Sequence, residues 1–221
     1  MIRIWKSLVL ACIISVFLLA CGSGERVSKE VFEEVNKNME VKRLTEAEIL
    51  QEAMIWGDSI TIEAQNQLIS ALTQAISENG TASAIEFCNV QALPILGEVS
   101  EKYEVEIRRV SNRYRNPKDQ PFEEEEMLLD AYEYNAENGL ESDPNIQKIN
   151  SGETYLYTKA IVIPSAFCLS CHGEIGKDID SETESKINEF YPEDKAKGHK
   201  VGDLRGMWSL KIPKSSVVKR M

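Results

Sequence analysis

Cys168 and Cys171 stand two residues apart, and His172, one of only two histidines in the 221-residue chain, follows directly. Three chemistries use such a spacing. The two thiols can add to the vinyl groups on one edge of a porphyrin, which forces the adjoining imidazole under the iron; C-x-x-C-H is the pattern of c-type haem attachment. A C-x-x-C pair can instead cycle between dithiol and disulfide, for which it belongs at a helix N-terminus within a βαβ unit. Zinc would want a second pair of nitrogen or sulfur ligands at closed spacing; only Cys88 and His199 remain, far apart in the chain. The motif comes late, after a hairpin pattern and with no parallel-sheet pattern around it, which favours haem.

An iron over His172 has a second face, commonly filled by Met or His. His199 sits in a lysine- and glycine-rich loop, where the plain expectation is an exposed side chain. Among the six methionines, Met54, Met127 and Met207 read more easily as core residues. Cys88 lies on an apolar helix face, one turn from Ala84 and one from Ala92, near a helix N-terminus that favours thiolate. Spacing alone leaves it balanced between an iron ligand and an inert buried thiol.

The N-terminus bears on the choice. Arg3 and Lys6 head an apolar run over residues 8–20, short for a bilayer span, and Leu18-Leu19-Ala20-Cys21 follows. This resembles a bacterial lipoprotein signal, with residues 1–20 removed and lipid carried on Cys21; an uncleaved anchor helix is the other reading. Both export the chain, and c-type attachment happens outside the cytoplasmic membrane. Several acyl chains hold a protein on a membrane stably. Gly22 after Cys21 resembles lipoproteins that reach the outer membrane, facing the periplasm. Of the five cysteines, Cys12 leaves with the signal, so Cys88 is the orphan thiol of an exported protein. The formal charge is −11; 25 basic residues less Arg3 and Lys6, against 36 acidic ones, leave −13. Such a surface repels phosphate backbones, and no nucleic-acid partner is expected.

The elements that must position these residues read as follows. Residues 21–44 form a tether. Thr45 and Glu48 make a capping box for a long helix, with Gly57 as a bend and a stop at Asn79-Gly80; Ser83 and Glu86 make another for a second helix, kinked at Pro94. Residues 103–110 alternate as a strand, and Arg108 and Arg109 then point to opposite faces. A loop with two prolines leads to a helix that opens with Glu123–Glu126, a solvated first turn or a docking patch for a basic partner, and ends at Gly139. A hairpin turns at Ser151-Gly152, the motif takes a short helical turn, residues 174–190 make a polar surface excursion, and a strand from Arg205 closes the fold. Helices first and antiparallel strands last argue α+β in one domain.

Four blocks in order, AIEFC (84–88), RRVSNRYRNP (108–117), FCLSCHG (167–173) and YPEDKAKGHKVGDLRG (191–206), resemble the haem-binding "domain of unknown function 3365" family over residues 45–213, which leaves 214–221 as a tail. The resemblance implies a PAS-like fold, with a central antiparallel sheet flanked by helices and one covalent haem c. It implies thioethers to Cys168 and Cys171, His172 as the proximal ligand and Cys88 as the distal one. The family often has an aromatic residue at the position of His199. Arg108, Arg109, Arg115, Asn116 and Arg205 look suited to steady a loop near the haem or to pair with its propionates, since the guanidinium fork matches carboxylate. A six-coordinate iron argues against an oxidase or peroxidase. It leaves a redox or small-ligand sensor that signals to a separate protein, or an electron carrier; an enzyme would need Cys88 to leave readily. Oligomeric state and partner are not legible.

Overall fold

The computed structural model describes residues 28–38 and 43–221. The expected signal segment, Cys12 and the lipidation candidate Cys21 lie outside the described residues. Helix α1 (Lys29–Asn38) belongs to a first unit that ends at Arg43; Ser28 caps it, its hydroxyl accepting from the Val31 N–H at 3.2 Å. Everything else belongs to a second unit, Leu44–Met221.

That unit opens with α2 (Glu46–Tyr103), and the capping box read from the sequence is made: Thr45 accepts from the Glu48 N–H while Glu48 accepts from the Thr45 N–H. The expected stop at Gly80 is a one-residue break. Gly80 takes φ 81°, ψ 170°, a region open to glycine almost alone. The helix resumes at once, so Ser83 lies inside the second arm and is not its cap. The arm folds back along the first: Lys102 Nζ is 2.7 Å from Glu63, the Tyr103 hydroxyl donates to the same carboxylate, and Leu96 and Val99 share a core with Ala64. Around Pro94 the backbone keeps helical dihedrals. Gly57 marks no bend either. A Cβ there would lie 2.5 Å from the Tyr157 ring, so glycine lets the helix rest on the sheet.

The second arm runs on to Tyr103, so β1 is shorter than expected, Glu106–Val110. It joins β2 (Asn145–Ile149), β3 (Thr154–Val162) and β4 (Leu204–Pro213) in an antiparallel sheet ordered β1-β4-β3-β2. The period of two sorts its faces. Ile107, Tyr155, Tyr157, Trp208, Leu210 and Ile212 pack under α2. Val110 and Met207 pack against Leu129 and Tyr132 of α3 (Glu123–Glu137) on the other face. The acidic first turn of α3 is not wholly solvated, because Glu125 is fully buried, accepts from the Ser209 hydroxyl at 2.5 Å and faces Arg108 at 3.4 Å. Met127 is exposed on α3 and not in the core, whereas Met207 is fully buried.

Residues 166–172 form α4, and 181–190 form α5 (Ser181–Phe190). The expected polar excursion at 174–190 is instead a packed segment. Its Ile179 and Ile187 are buried with Ile85 of α2, and Cys171 packs against them. The expected tail forms α6 (Lys214–Arg220), with Val217 buried in the main core. The architecture is the α+β one expected, an antiparallel sheet flanked by helices with a long helix leading it.

Two predictions follow from this packing. Gly57→Ala should lower stability by about 1–3 kcal/mol through overpacking, while Gly97→Ala, where a Cβ meets nothing, should raise it by about 0.5–1 kcal/mol; urea unfolding midpoints check both. Glu46 accepts hydrogen bonds from Lys148 and Lys214, which pull its carboxyl from 4.5 down to about 2. A folded-state value below the unfolded one gives stability that is present above pH 4.5 and lost as pH falls towards 2. Glu46→Gln should therefore destabilise the protein at neutral pH and match the native chain near pH 2, read by thermal unfolding across that range.

Candidate functional site

A cavity of about 700 Å³ opens at the end of the sheet beneath α2, within the range of small-molecule sites. α4 presents Cys168, Cys171 and His172 to it, and the second arm of α2 brings Cys88 to the same space. All three cysteines are free thiols. Burial pushes the Cys88 and Cys171 thiols up, against the pull of Arg109 on Cys88 and Arg115 on Cys171. Cys88 stands eight residues beyond the break at Gly80, so it is not in the first turn of its arm, where a helix terminus would favour thiolate.

His172 Nδ1 is 2.9 Å from the Ala196 carbonyl, which can only accept. The proton is therefore on Nδ1, and Nε2 keeps a free lone pair. Burial, with Arg205 and Arg115 nearby, holds the imidazole well below its ordinary pKa, so it is neutral. These are the conditions of a metal-ligating histidine.

The arginines divide as the strand alternation requires. Arg108 turns away from the cavity to Glu125, the Phe122 ring 3.9 Å from its guanidinium carbon, and the carbonyls of Lys118 and Gln120. It is out of reach of a group in the cavity, but it holds the loop that brings Asp119 to the cavity wall. Arg109 lines the cavity and is the register partner of Trp208. Arg109 Nε and Trp208 Nε1 are both buried donors without an acceptor. Arg115 also lines the cavity, but its guanidinium is taken by Asp194 at 3.1 Å and the Cys171 carbonyl at 2.6 Å, so it steadies a loop. Arg205 donates to the Arg113 carbonyl at 3.1 Å, and burial beside Arg115 and Arg109 pulls it down to about 9. Asn116 lines the cavity while its side chain caps the 3-10 turn Pro117–Asp119.

His199 is not the exposed side chain its loop suggested. It is 1 % exposed, Arg113 lies 3.1 Å from its Nδ1, and its ring stands edge to face with His172 at 6.2 Å. It is not among the residues that line the cavity. Arg113, Asp194, Ala196 and Trp208 escaped the sequence reading as site residues. The first three lie in blocks 108–117 and 191–206, but a carbonyl acceptor or a guanidinium donating to backbone leaves no pattern in sequence.

These features define an α+β domain in which a helical hairpin and a four-stranded sheet close a cavity lined by three thiols and an imidazole. The family model for Tll0287-like proteins matches residues 27–213, and the chain belongs to that family. Among solved structures it resembles that titled "Crystal structure of the cyanobacterial heme-protein Tll0287", at 26% identity and a TM-score of 0.50, over 69% of this chain and 92% of that one. None of the curated proteins compared matches it. The matched span holds the four blocks that suggested a haem-binding family, and that recognition stands.

Arg115→Met would leave Asp194, whose side chain is 1 % exposed, without its main partner. Breaking a buried pair from one side costs about 3–5 kcal/mol, with Lys197 at 3.6 Å from Asp194 placing the effect at the low end. Urea unfolding of the variant should show a loss of about 3 kcal/mol.

Proposed function

We propose that the chain binds one haem covalently, through thioethers to Cys168 and Cys171, with His172 as proximal and Cys88 as distal ligand, and that it acts as a redox or small-ligand sensor. The observation that carries this is the meeting of Cys88 with the C-x-x-C-H motif around one cavity, although the two lie far apart in sequence. The solved relative's title as a heme-protein supports it. Arg109 and Trp208, with buried unpaired donors, and Arg205 suit the propionate carboxylates; Arg115 and Asn116 steady the surrounding loops.

Bound there, the haem would supply an iron that changes oxidation state and opens a coordination position when an axial ligand departs. The chain favours departure on one side. Hydrogen bonds hold the His172 imidazole and backbone, whereas Cys88 sits on an arm that leaves a glycine break. Donation from a Cys88 thiolate favours ferric iron and a low potential; loss of that thiolate would let the arm shift, for a separate protein to read. The second reading is an electron carrier. It draws support from the cavity mouth, where Ile62, Ile69 and Phe167 are each about half exposed and leave an edge open to a partner. Export by a lipoprotein signal, with lipid on Cys21 and the domain in the periplasm, agrees with the need for maturation outside the cytoplasm. No helix among the described residues is long and apolar enough to cross a membrane.

The test is expression with cytochrome c maturation machinery, followed by absorption spectra before and after dithionite and a pyridine haemochrome. The expected result is covalent haem with a thiolate-type ferric spectrum. Cys88→Ala should keep the haem, lose that spectrum and raise the potential, and His172→Ala should mature poorly or misligate. Carbon monoxide binding to the ferrous native protein with release of Cys88 supports the sensor; ferrous protein that keeps Cys88 and refuses carbon monoxide supports the carrier. No haem, beside a control cytochrome that matures, sinks both.

A further inference from the structure

We propose that Arg113 is a positioning residue for the proximal ligand, clamping, together with His199, the loop that fixes which nitrogen His172 turns to the iron. This rests on the haem reading above.

The loop over 194–203 is tied to the motif at three points. The Ala196 carbonyl accepts from His172 Nδ1 at 2.9 Å, the His199 N–H donates to the His172 carbonyl at 2.8 Å, and the Gly198 N–H donates to the Gly173 carbonyl at 2.6 Å. The first bond selects the tautomer, and the other two set the height of the loop against α4. The loop has no regular secondary structure of its own to keep its shape. Its own Asp194 and Asp203 accept from the Ala196 and Lys200 N–H groups, and the segment after β1 adds the Tyr114 carbonyl, which accepts from the Lys195 N–H, and the side chain of Arg113. Arg113 spreads its fork over the loop, one nitrogen donating to the Lys197 carbonyl and the other to His199 Nδ1. Lys197 and His199 flank Gly198, and Lys197 directly follows Ala196, so the fork grips the loop next to the carbonyl that matters. Arg113 is itself fixed, since its N–H donates to the Ser111 hydroxyl at 3.1 Å and its carbonyl accepts from Arg205.

His199 completes the clamp. A guanidinium only donates, so Nδ1 of His199 accepts and its proton sits on Nε2. That Nε2 is buried without a partner. An aromatic ring would fill the space and keep the edge-to-face contact with His172 without burying an unpaired N–H. What a histidine adds is the acceptor that closes the second tine of the fork. Burial and the Arg113 charge keep it neutral, its pKa pulled down to about 4.

The consequence is read at the iron. A carbonyl that accepts from Nδ1–H raises the basicity of Nε2, and such outer partners are worth about 10–100-fold in metal affinity. A slack clamp lengthens that bond, weakens donation to ferric iron and raises the potential. It also lowers the iron–imidazole stretching frequency.

The experiment uses the haem-loaded chain with Arg113→Lys, which keeps the charge and loses the fork, and His199→Phe, which keeps a ring and loses the acceptor. Val217→Ala, a core truncation in α6, controls for destabilisation. Midpoint potentials are measured in the native background, and the ferrous iron–imidazole stretch by resonance Raman in a Cys88→Ala background. Both variants should raise the potential and lower the stretching frequency, and Val217→Ala should change neither. Should Arg113→Lys fail to mature, His199→Phe carries the test by itself. Values that match the native protein, or move no further than in Val217→Ala, overturn the clamp while leaving the haem reading intact. An unsubstituted chain without covalent haem overturns both.

Discussion

The backbone at Gly80 decides where Cys88 stands. With φ near 80° and ψ near 170° the helix reverses within one residue, and the second arm returns along the first. The return is secured by apolar packing of Leu96 and Val99 against Ala64, and at its far end by Glu63 receiving Lys102 and Tyr103. Between Gly80 and these anchors the arm crosses the cavity mouth, with Cys88 facing the motif and Ile85 seated against α5. A side chain at Gly80 would strain the reversal, and a straight helix would carry Cys88 away from the sheet altogether.

The cavity reached in this way has an electrostatic character opposite to that of the whole chain. The formal charge is −11, yet Arg109, Arg115 and Arg205 converge on one wall. Burial, with crowding by Arg115 and Arg109, lowers Arg205, and burial beside Arg205 and Arg115 keeps His172 neutral. Only part of this positive charge is neutralised within the protein. Asp194 answers Arg115 and Asp119 lies near Arg109 and Arg205, yet the Nε donors of Arg109 and of the neighbouring Trp208 indole are left unpaired. Buried donors without acceptors are rare and costly, and a carboxylate-bearing group in the cavity would satisfy them.

The two sides of the site are built differently. His172 is held through backbone and side-chain bonds from a loop that is held from two directions, by Arg113 at the Lys197 carbonyl and by Arg115 at Asp194. Cys88 is held by helix packing alone. In the proposed haem protein, iron between them would meet one stiff ligand and one that can yield, which would suit a sensor, and the open apolar rim of the cavity would suit a carrier.

Much of this was legible in the sequence because local patterns are dictated by local physics. The spacing of Cys168, Cys171 and His172 narrowed its chemistry to a few candidates, the capping box of Thr45 and Glu48 is made as read, and the alternation in β1 placed Arg108 and Arg109 on opposite faces. The errors share one cause. Gly57 looked like a bend, and it is a contact with Tyr157; His199 looked exposed, and it is buried under Arg113; residues 174–190 looked like an excursion, and they pack on Ile85. Each depends on a partner distant in the chain, and composition cannot supply one. The sequence by itself determined the motif, the family and most of the element types, the helices over 181–190 and 214–220 excepted. The tertiary structure alone decided that Cys88 and His172 line one cavity, that Arg109 and not Arg108 lines it too, and that a carbonyl from the loop sets the histidine's tautomer. Periodicity tells which face of an element is buried, but only the packing of elements in space tells what that face is buried against.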